Sequence, residues 1–252
     1  GCEVIELNCE PNGNFTRGTE PLPENLAELS QMVKKHRADV GFAIDPDADR
    51  LAVINEKGEP LGEEYTIVLA ADGYLKETNQ IENFVLNLSS SLALDKLAES
   101  KGSSVVRSAV GEINVVNKMN EVSSNLGGEG NGGVILRECH LGRDSLVGVT
   151  MVLNRMSQSN ESLSAIHQSL PQFVIVKDKV NVKGIDAEDI IKKADNLFKN
   201  AEKNTLDGIK FIWKDKWVHL RKSNTEPIIR IYAEASDKNR ALGLINKIKS
   251  LI

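Results

Sequence analysis

The spacing of apolar residues changes repeatedly along the chain, and each change marks a predicted helix or strand. Apolar residues three or four positions apart predict helices, whereas short apolar runs bounded by polar turns predict strands. The predicted helices cover residues 26–36, 65–75, 92–98, 113–119, 145–156, 163–170, 187–200 and 238–251. The predicted strands cover residues 2–7, 40–44, 51–55, 84–88, 104–108, 134–136, 173–180, 209–213, 217–220 and 228–234. Asn25 and Asp144 are predicted to cap the helices that follow them.

This order of elements predicts an α/β protein with mixed sheets, followed by an α+β domain at its C-terminal end. Polar stretches interrupt the pattern at 76–83 and 157–162. Because 252 residues exceed what one hydrophobic core usually holds, we expect three domains, at residues 1–78, 79–170 and 171–252. The chain starts directly on a predicted strand, so we expect the first domain to be partial.

Composition and charge exclude several classes of partner. The net charge of -5 provides no excess of Lys and Arg for nucleic acid or an anionic membrane. No apolar stretch approaches the roughly 18 residues that span a bilayer. Three cysteines without paired spacing, Cys2, Cys9 and Cys139, are typical of reduced thiols. We therefore expect a cytoplasmic protein that binds neither nucleic acid nor membranes.

Three aspartates alternate along the connection between the predicted strands 40–44 and 51–55. Carboxylates as close as those of Asp45, Asp47 and Asp49 would repel one another, and a divalent cation makes such a cluster tolerable. Three protein oxygens would leave open positions for water or a phosphate, which suits Mg²⁺. The loop therefore predicts a magnesium site, and a solvated acidic turn that binds nothing is the alternative.

A calcium-binding EF-hand loop is the nearest rival for this segment. Acids stand at its positions 1, 3 and 5, and Glu56 stands at position 12. However, position 6 is Arg50 where that loop needs glycine, and both flanking segments are predicted strands rather than helices. We therefore reject calcium sensing.

Two further loops contain groups suited to a phosphorylated sugar. The glycine-rich stretch 127–133 contains the carboxylate of Glu129 and the amide of Asn131, which could bond vicinal hydroxyls. The stretch 221–227 combines guanidinium, hydroxyl and amide donors that fit a phosphate. Simple turns are the alternative for both, with Arg221 then paired to a carboxylate.

Taken together, the three loops resemble those of the α-D-phosphohexomutase family, in the same order along the chain. Gly-Phe-Ala-Ile-Asp-Pro-Asp-Ala-Asp-Arg, residues 41–50, is similar to the family's metal loop. The resemblance implies that Asp45, Asp47 and Asp49 bind Mg²⁺, with a phosphate on the catalytic serine as the fourth ligand. It also implies that Arg50 lies beside that phosphate.

The glycine-rich and C-terminal loops are similar to the family's sugar-binding and phosphate-binding loops. The resemblance implies that Glu129 and Asn131 contact sugar hydroxyls. The implied phosphate contacts are Arg221, Ser223, Asn224, Thr225 and Arg230. Glu112 stands where relatives have His or Asp, which implies proton transfer, and an acid that merely favours a helix start is the alternative. Common bacterial members have Ser in place of Asn131 and His in place of Gly133.

The resemblance implies a mutase that interconverts hexose 6-phosphate and hexose 1-phosphate through a 1,6-bisphosphate and an enzyme phosphoserine. The family's Thr-Ala-Ser-His-Asn-Pro type motif, which holds that serine, does not occur in these residues. We therefore expect a fragment that is inactive alone, with the missing N-terminal half as a partner. Glucosamine phosphate is the expected substrate. The alternatives are mannose or glucose phosphate, or a non-catalytic phosphosugar-binding module.

Overall fold

Helices and strands occupy most of the chain in the computed structural model, which describes residues 1–182, 186–223 and 226–251. The helices are α1 Ala27–His36, α2 Tyr65–Thr78, α3 Ala93–Ser100, α4 Glu112–Glu121, α5 Ser145–Ser157, α6 Leu163–Ser169, α7 Ala187–Leu197 and α8 Lys238–Lys249. The strands are β1 Val40–Ile44, β2 Leu51–Asn55, β3 Asn83–Asn87, β4 Ser104–Ser108, β5 Leu126–Glu129, β6 Gly133–Leu136, β7 Val174–Asn181, β8 Glu202–Asn204, β9 Ile209–Trp213, β10 Lys216–Lys222 and β11 Ile228–Ala235. Among the described residues, no helix combines the length and apolar character needed to cross a membrane.

Two compact units make up the chain, and each combines segments that are distant in sequence. The first unit contains Gly1–Gln80 and Gly130–Ser169, and the second contains Ile81–Glu129 and Leu170–Ile252. The mixed α/β architecture with an antiparallel C-terminal sheet confirms the predicted fold class. The division into three domains stays a prediction.

In the first unit, an antiparallel hairpin of β1 and β2 packs with helices α1, α2 and α5. Ile44 pairs with Leu51 across the hairpin, and all five residues of β2 are buried. Helix α2 is buried over most of its length, as expected of a core helix that is apolar on nearly every side. It packs against α5, where Asp72 forms a buried ion pair with Arg155.

The second unit contains two sheets. Strand β3 pairs in parallel with both β4 and β5, and α3 and α4 pack against these strands. The C-terminal sheet is antiparallel in the order β7-β11-β10-β9-β8. Alternate residues such as Val218 and Leu220 face a core shared with α7 and α8. The other face of this sheet therefore presents the residues between them, namely Trp217, His219 and Arg221.

Some local predictions are wrong. Residues 2–7 form no strand, and Val4 is 76% exposed. A strand needs a neighbouring strand to pair its backbone N–H and C=O groups. Residues 1–9 instead line a cavity of about 1090 Å³ beside β1 and α5. Asn25 does not cap α1, because its side chain donates to the carbonyl of Glu20. The short strand β8 was not predicted, since three polar residues carry no alternating signal.

Candidate metal and phosphosugar-binding site

The acidic loop between β1 and β2 gathers its three aspartates. Carboxylate oxygens of Asp45, Asp47 and Asp49 lie within 4.8 Å of one another. Ala48 makes this curl with a left-handed backbone (φ 58°), and its N–H bonds the carbonyl of Asp45 at 3.1 Å. The N–H of Ser145, at the start of α5, donates to the Ala48 carbonyl at 3.0 Å. The loop is therefore folded so that its carboxylates converge.

Asp45 is buried and organises the loop. Its Oδ1 accepts from the backbone N–H of Asp49 at 3.1 Å and of Arg50 at 3.0 Å. Its Oδ2 lies 2.6 Å from Arg50 Nε, and Arg50 also contacts Glu20 at 3.2 Å. Burial alone would raise the pKa of Asp45, but the bonds and charge of Arg50 outweigh it and lower the pKa. Asp45 is therefore ionised at neutral pH.

One oxygen of Asp49 has a hydrogen-bond partner, whereas the other, Oδ1, has only an ion-pair contact among the described residues, with Arg50 Nε at 3.6 Å. Its carboxylate pairs with the Arg143 guanidinium through Oδ2. Oδ1 is buried and has no hydrogen-bond partner within the described residues. Burial raises the pKa of Asp49 to about 6, with Asp45 and Asp47 adding to the rise and Arg143 opposing it. A cation would satisfy Oδ1 and relieve this repulsion, so these residues fit a hard divalent ion such as Mg²⁺.

Arg143 is a site residue that the sequence reasoning missed. It lies 94 positions from Asp49, directly before Asp144. The Asp144 side chain caps α5 as predicted, accepting from Leu146 N at 2.7 Å and Val147 N at 3.1 Å. The predicted cap at Asp144 was the sequence signal that could have identified Arg143, because a capped helix start also fixes the position of the residue before the cap.

The glycine-rich stretch begins as strand β5 and turns at Gly130–Gly132, so its first residues are not loop. Gly132 accepts from the N–H of Leu51 at 3.1 Å, which joins this turn to the end of the metal loop in the first unit. Its φ of +92° and its approach to Leu51 require glycine. The Asn131 side chain accepts from Gly133 N at 3.3 Å.

In the second unit, Glu129 is buried at the end of β5. Its Oε1 accepts from the Asn87 amide at 2.6 Å and from Gly111 N at 3.0 Å. Gly111 immediately precedes Glu112, the first residue of α4. The carboxylate of Glu129 thus fixes the loop that presents Glu112, although the two acids are 17 positions apart in sequence.

The predicted phosphate-binding residues lie where β10 ends and β11 begins. Arg221 and Arg230 are directly paired across the two strands, so their side chains share a face. Arg221 Nε lies 2.8 Å from Asp207 Oδ2. Ser223 N donates to the carbonyl of Ile228 at 3.0 Å, which closes the connection. Asn224 and Thr225 lie outside the described residues.

The same face of the C-terminal sheet carries a buried polar network that the sequence reasoning did not identify. Glu234 accepts from Ser91 Oγ, from Leu92 N at 2.8 Å and from Trp217 Nε1 at 2.6 Å. Lys210 Nζ donates to the carbonyl of Leu88 at 2.5 Å and lies 4.1 Å from the Trp217 ring centroid. Burial lowers the pKa of Lys210 and raises that of Glu234, although their mutual attraction opposes both shifts.

His219 continues this network toward Arg221. Its Nδ1 lies 3.0 Å from Ser89 Oγ, and its Nε2 lies 2.6 Å from the carbonyl oxygen of Asp207. Burial lowers the pKa of His219 to about 4. The ring is therefore neutral at pH 7, with Nε2–H donating to Asp207 and Nδ1 accepting from Ser89.

Comparison with known proteins places these loops in one family. The family models of phosphoglucomutase/phosphomannomutase match in three segments. Residues 1–58 match alpha/beta/alpha domain II, residues 62–173 match alpha/beta/alpha domain III, and residues 174–250 match the C-terminal domain.

Curated relatives and solved structures agree with these matches. A phosphoglucomutase/phosphomannomutase from Thermococcus kodakarensis is 37% identical over 96% of this chain and 53% of its own length. A probable phosphoglucosamine mutase from Methanopyrus kandleri is 31% identical over 100% and 56%. The crystal structure of a family protein from Burkholderia thailandensis matches with a TM-score of 0.78 and 26% identity, over 91% of this chain and 50% of that chain. The chain spans about half the length of the curated relatives that it matches, and it belongs to the phosphoglucomutase/phosphomannomutase family.

Proposed function

We propose that this chain is the magnesium- and phosphosugar-binding part of a phosphohexomutase, which interconverts hexose 6-phosphate and hexose 1-phosphate through a 1,6-bisphosphate. The observation that carries the proposal is the convergence of the Asp45, Asp47 and Asp49 carboxylates, with Asp49 Oδ1 lacking a hydrogen-bond partner within the described residues. Family membership supports it, since relatives are named as mutases. A serine outside these residues would supply the phosphoryl group.

The metal loop would bind Mg²⁺ through the three aspartates. When bound, the ion neutralises charge on a transferring phosphoryl group. Arg50 holds Asp45 ionised and adds a positive charge to the loop, which suits a position beside a phosphate. Arg143 holds Asp49 from the other side.

The remaining predicted residues would bind the sugar and the phosphate that does not react. Glu129 is preorganised by Asn87 and Gly111, so its carboxylate needs little rearrangement to accept from a hydroxyl. Asn131 would supply a second polar contact. Arg221, Arg230 and Ser223, with Asn224 and Thr225, would hold the phosphate. Glu112 would transfer a proton at a sugar hydroxyl.

Among substrates, we propose glucosamine phosphate. The Methanopyrus relative, which is named a probable phosphoglucosamine mutase, supports this choice. Mannose and glucose phosphates are the competitors, because the Thermococcus relative is named for them.

Coupled assays would test the proposal with glucosamine, mannose and glucose 6-phosphates, each with Mg²⁺ and the matching 1,6-bisphosphate. The chain alone should give no turnover. Addition of the part of the Thermococcus relative that this chain does not match should restore turnover, fastest with glucosamine 6-phosphate. A preference for mannose 6-phosphate would overturn the substrate assignment.

Calorimetry with glucosamine 6-phosphate separates the mutase from a binding module. Binding by the chain together with restored turnover supports the mutase. Binding without turnover under any supplementation supports a non-catalytic phosphosugar-binding module instead. Absence of both binding and turnover would overturn the proposed function.

A further inference from the structure

Asp207, which no sequence motif singled out, lies between two parts of the proposed phosphosugar site in the second unit. Its Oδ2 is 2.8 Å from Arg221 Nε. The same oxygen accepts from the backbone N–H of Val110 at 3.2 Å. Val110 precedes Gly111, whose N–H bonds the Glu129 carboxylate. One carboxylate oxygen therefore joins the proposed phosphate-binding arginine to the loop that Glu129 holds.

The turn that carries Asp207 is itself fixed. The His219 ring bonds the main-chain carbonyl of Asp207 at 2.6 Å and is held on its other nitrogen by Ser89. Gly208 has a φ of +69° and lies so close to the carbonyl of Leu220 that a Cβ atom would clash with backbone. Both contacts fix the Asp207 backbone against the end of β10. The carboxylate consequently has a defined position next to Arg221.

The chemistry of the pair leaves the arginine able to bind a phosphate. A guanidinium has five N–H donors, one of them on Nε, and Asp207 Oδ2 forms an ion pair at 2.8 Å from Nε without a hydrogen bond to that group. The two terminal nitrogens carry the other four, which is the fork that binds two phosphate oxygens together. Arg221 is about a quarter exposed, so its side chain would otherwise sample several rotamers.

We propose that Asp207 is a positioning residue, which orients the guanidinium of Arg221 toward a sugar phosphate and ties it to the Val110–Gly111 turn. This inference rests on the proposed function, because it assigns Arg221 to the phosphate. Asp207 itself does not contact the ligand. It acts by reducing the rotamer freedom that Arg221 loses on binding.

Removal of the Asp207 charge distinguishes positioning from simple electrostatics, because the two predict opposite changes in phosphate affinity. A negative charge near the phosphate site repels a phosphate. If Asp207 acted only through its charge, removal of that charge should tighten phosphate binding. Loss of positioning should weaken binding instead. The variant Asp207→Asn keeps the side-chain volume and an oxygen that can accept from Val110, so it removes mainly the ion pair with Arg221.

The experiment is a double-mutant cycle of Asp207→Asn and Arg221→Gln, with calorimetric titration of inorganic phosphate, glucosamine 6-phosphate and glucosamine into the chain. Asp207→Asn should weaken both phosphorylated ligands by about 3- to 10-fold and leave glucosamine unchanged. In the Arg221→Gln background it should have no further effect. Asp215→Asn, an exposed aspartate in the turn after β9, is the matched control and should change nothing.

Thermal denaturation of all variants sets a titration temperature at which each is folded. A second variant, Asp207→Glu, keeps the charge and should therefore retain more phosphate affinity than Asp207→Asn. Unchanged or tighter phosphate binding by Asp207→Asn would overturn the positioning role while leaving the proposed function intact. Failure of the unmodified chain to bind either phosphorylated ligand would overturn both.

Discussion

The metal loop of the first unit and the polar face of the C-terminal sheet in the second unit solve opposite electrostatic problems. The metal loop concentrates three carboxylates within five residues, and one buried oxygen, Asp49 Oδ1, lacks a hydrogen bond in the described chain. The polar face pairs its buried charge instead, since Glu234 accepts three hydrogen bonds near Lys210. The first arrangement is poised for a cation, and the second is closed on itself. We therefore expect substitution of Asp47 in the first to change ligand affinity, and substitution of Glu234 in the second to change stability.

The largest expected effect tests the closed network. Glu234→Ala would leave Trp217, Ser91 and Leu92 without their acceptor and Lys210 without its neighbouring anion, so the second unit should lose about 3–5 kcal/mol of unfolding free energy. Both tryptophans of the chain, Trp213 and Trp217, lie in this unit, so urea unfolding followed by tryptophan fluorescence reports on it. The control is Glu202→Ala at an exposed position of β8. Equal stability of the two variants would contradict a closed network.

Acid should destabilise the same network through His219. The pKa of His219 is about 4 in the folded unit and about 6.5 when unfolded. Below pH 6.5 the unfolded chain binds a proton that the folded chain does not, so stability should fall by about 3 kcal/mol as the pH falls from 6.5 to 4. The measurement is the difference between the stability–pH curves of the unmodified chain and His219→Gln. The control is His36→Gln, at an exposed histidine. If the stability–pH curve of His219→Gln is identical to that of the unmodified chain, His219 does not contribute to the acid sensitivity.

In the metal loop, Asp47→Asn should separate affinity from stability. Asp47 is exposed, so its substitution removes a proposed cation ligand and leaves the hydrogen bonds of Asp45 in place. Since changes in outer-shell partners already cost about 10- to 100-fold in metal affinity, loss of a direct ligand should cost at least that. Calorimetric titration with Mg²⁺ measures it.

Two further variants complete that comparison. Asp39→Asn, an exposed change just before β1, should bind Mg²⁺ as the unmodified chain does. Asp45→Ala should lose both affinity and stability, because Asp45 also accepts from Asp49 N and from Arg50. If Asp47→Asn binds Mg²⁺ with unchanged affinity, the aspartates do not form a shared site.

The smallest expected effect concerns the turn that meets the metal loop. Gly132→Ala would place a Cβ atom 2.5 Å from the carbonyl oxygen of Leu51 and force alanine into a left-handed backbone. The left-handed backbone alone should cost the first unit about 1–2 kcal/mol, and any further loss in urea unfolding followed by circular dichroism measures the clash. Gly13→Ala has a similar φ of +76° but nothing within 4 Å, so it separates the clash from the backbone strain. An equal loss in both variants would show that the contact with Leu51 is unimportant.

Local patterns predicted much of the fold because local physics decides it. β1, β2, β4 and β9 have the predicted bounds, since each is a short apolar run between polar turns. The cap of α5 at Asp144 was also predicted, because a cap depends only on neighbouring residues. The rule for short apolar runs gave a wrong prediction for residues 2–7, because an apolar run becomes a strand only where another strand pairs with it.

By itself, the sequence determined that three carboxylates converge, since Asp45, Asp47 and Asp49 are close in the chain and one left-handed residue suffices to bring them together. It also contained an alternation in β10 that marks Trp217, His219 and Arg221 as one face. Only the tertiary structure decided which groups those side chains meet. Arg143 reaches Asp49 across 94 positions, and Asp207 reaches Val110 across 97. Such contacts depend on how helices and sheets pack, and residue spacing along a chain does not encode distances between its distant segments.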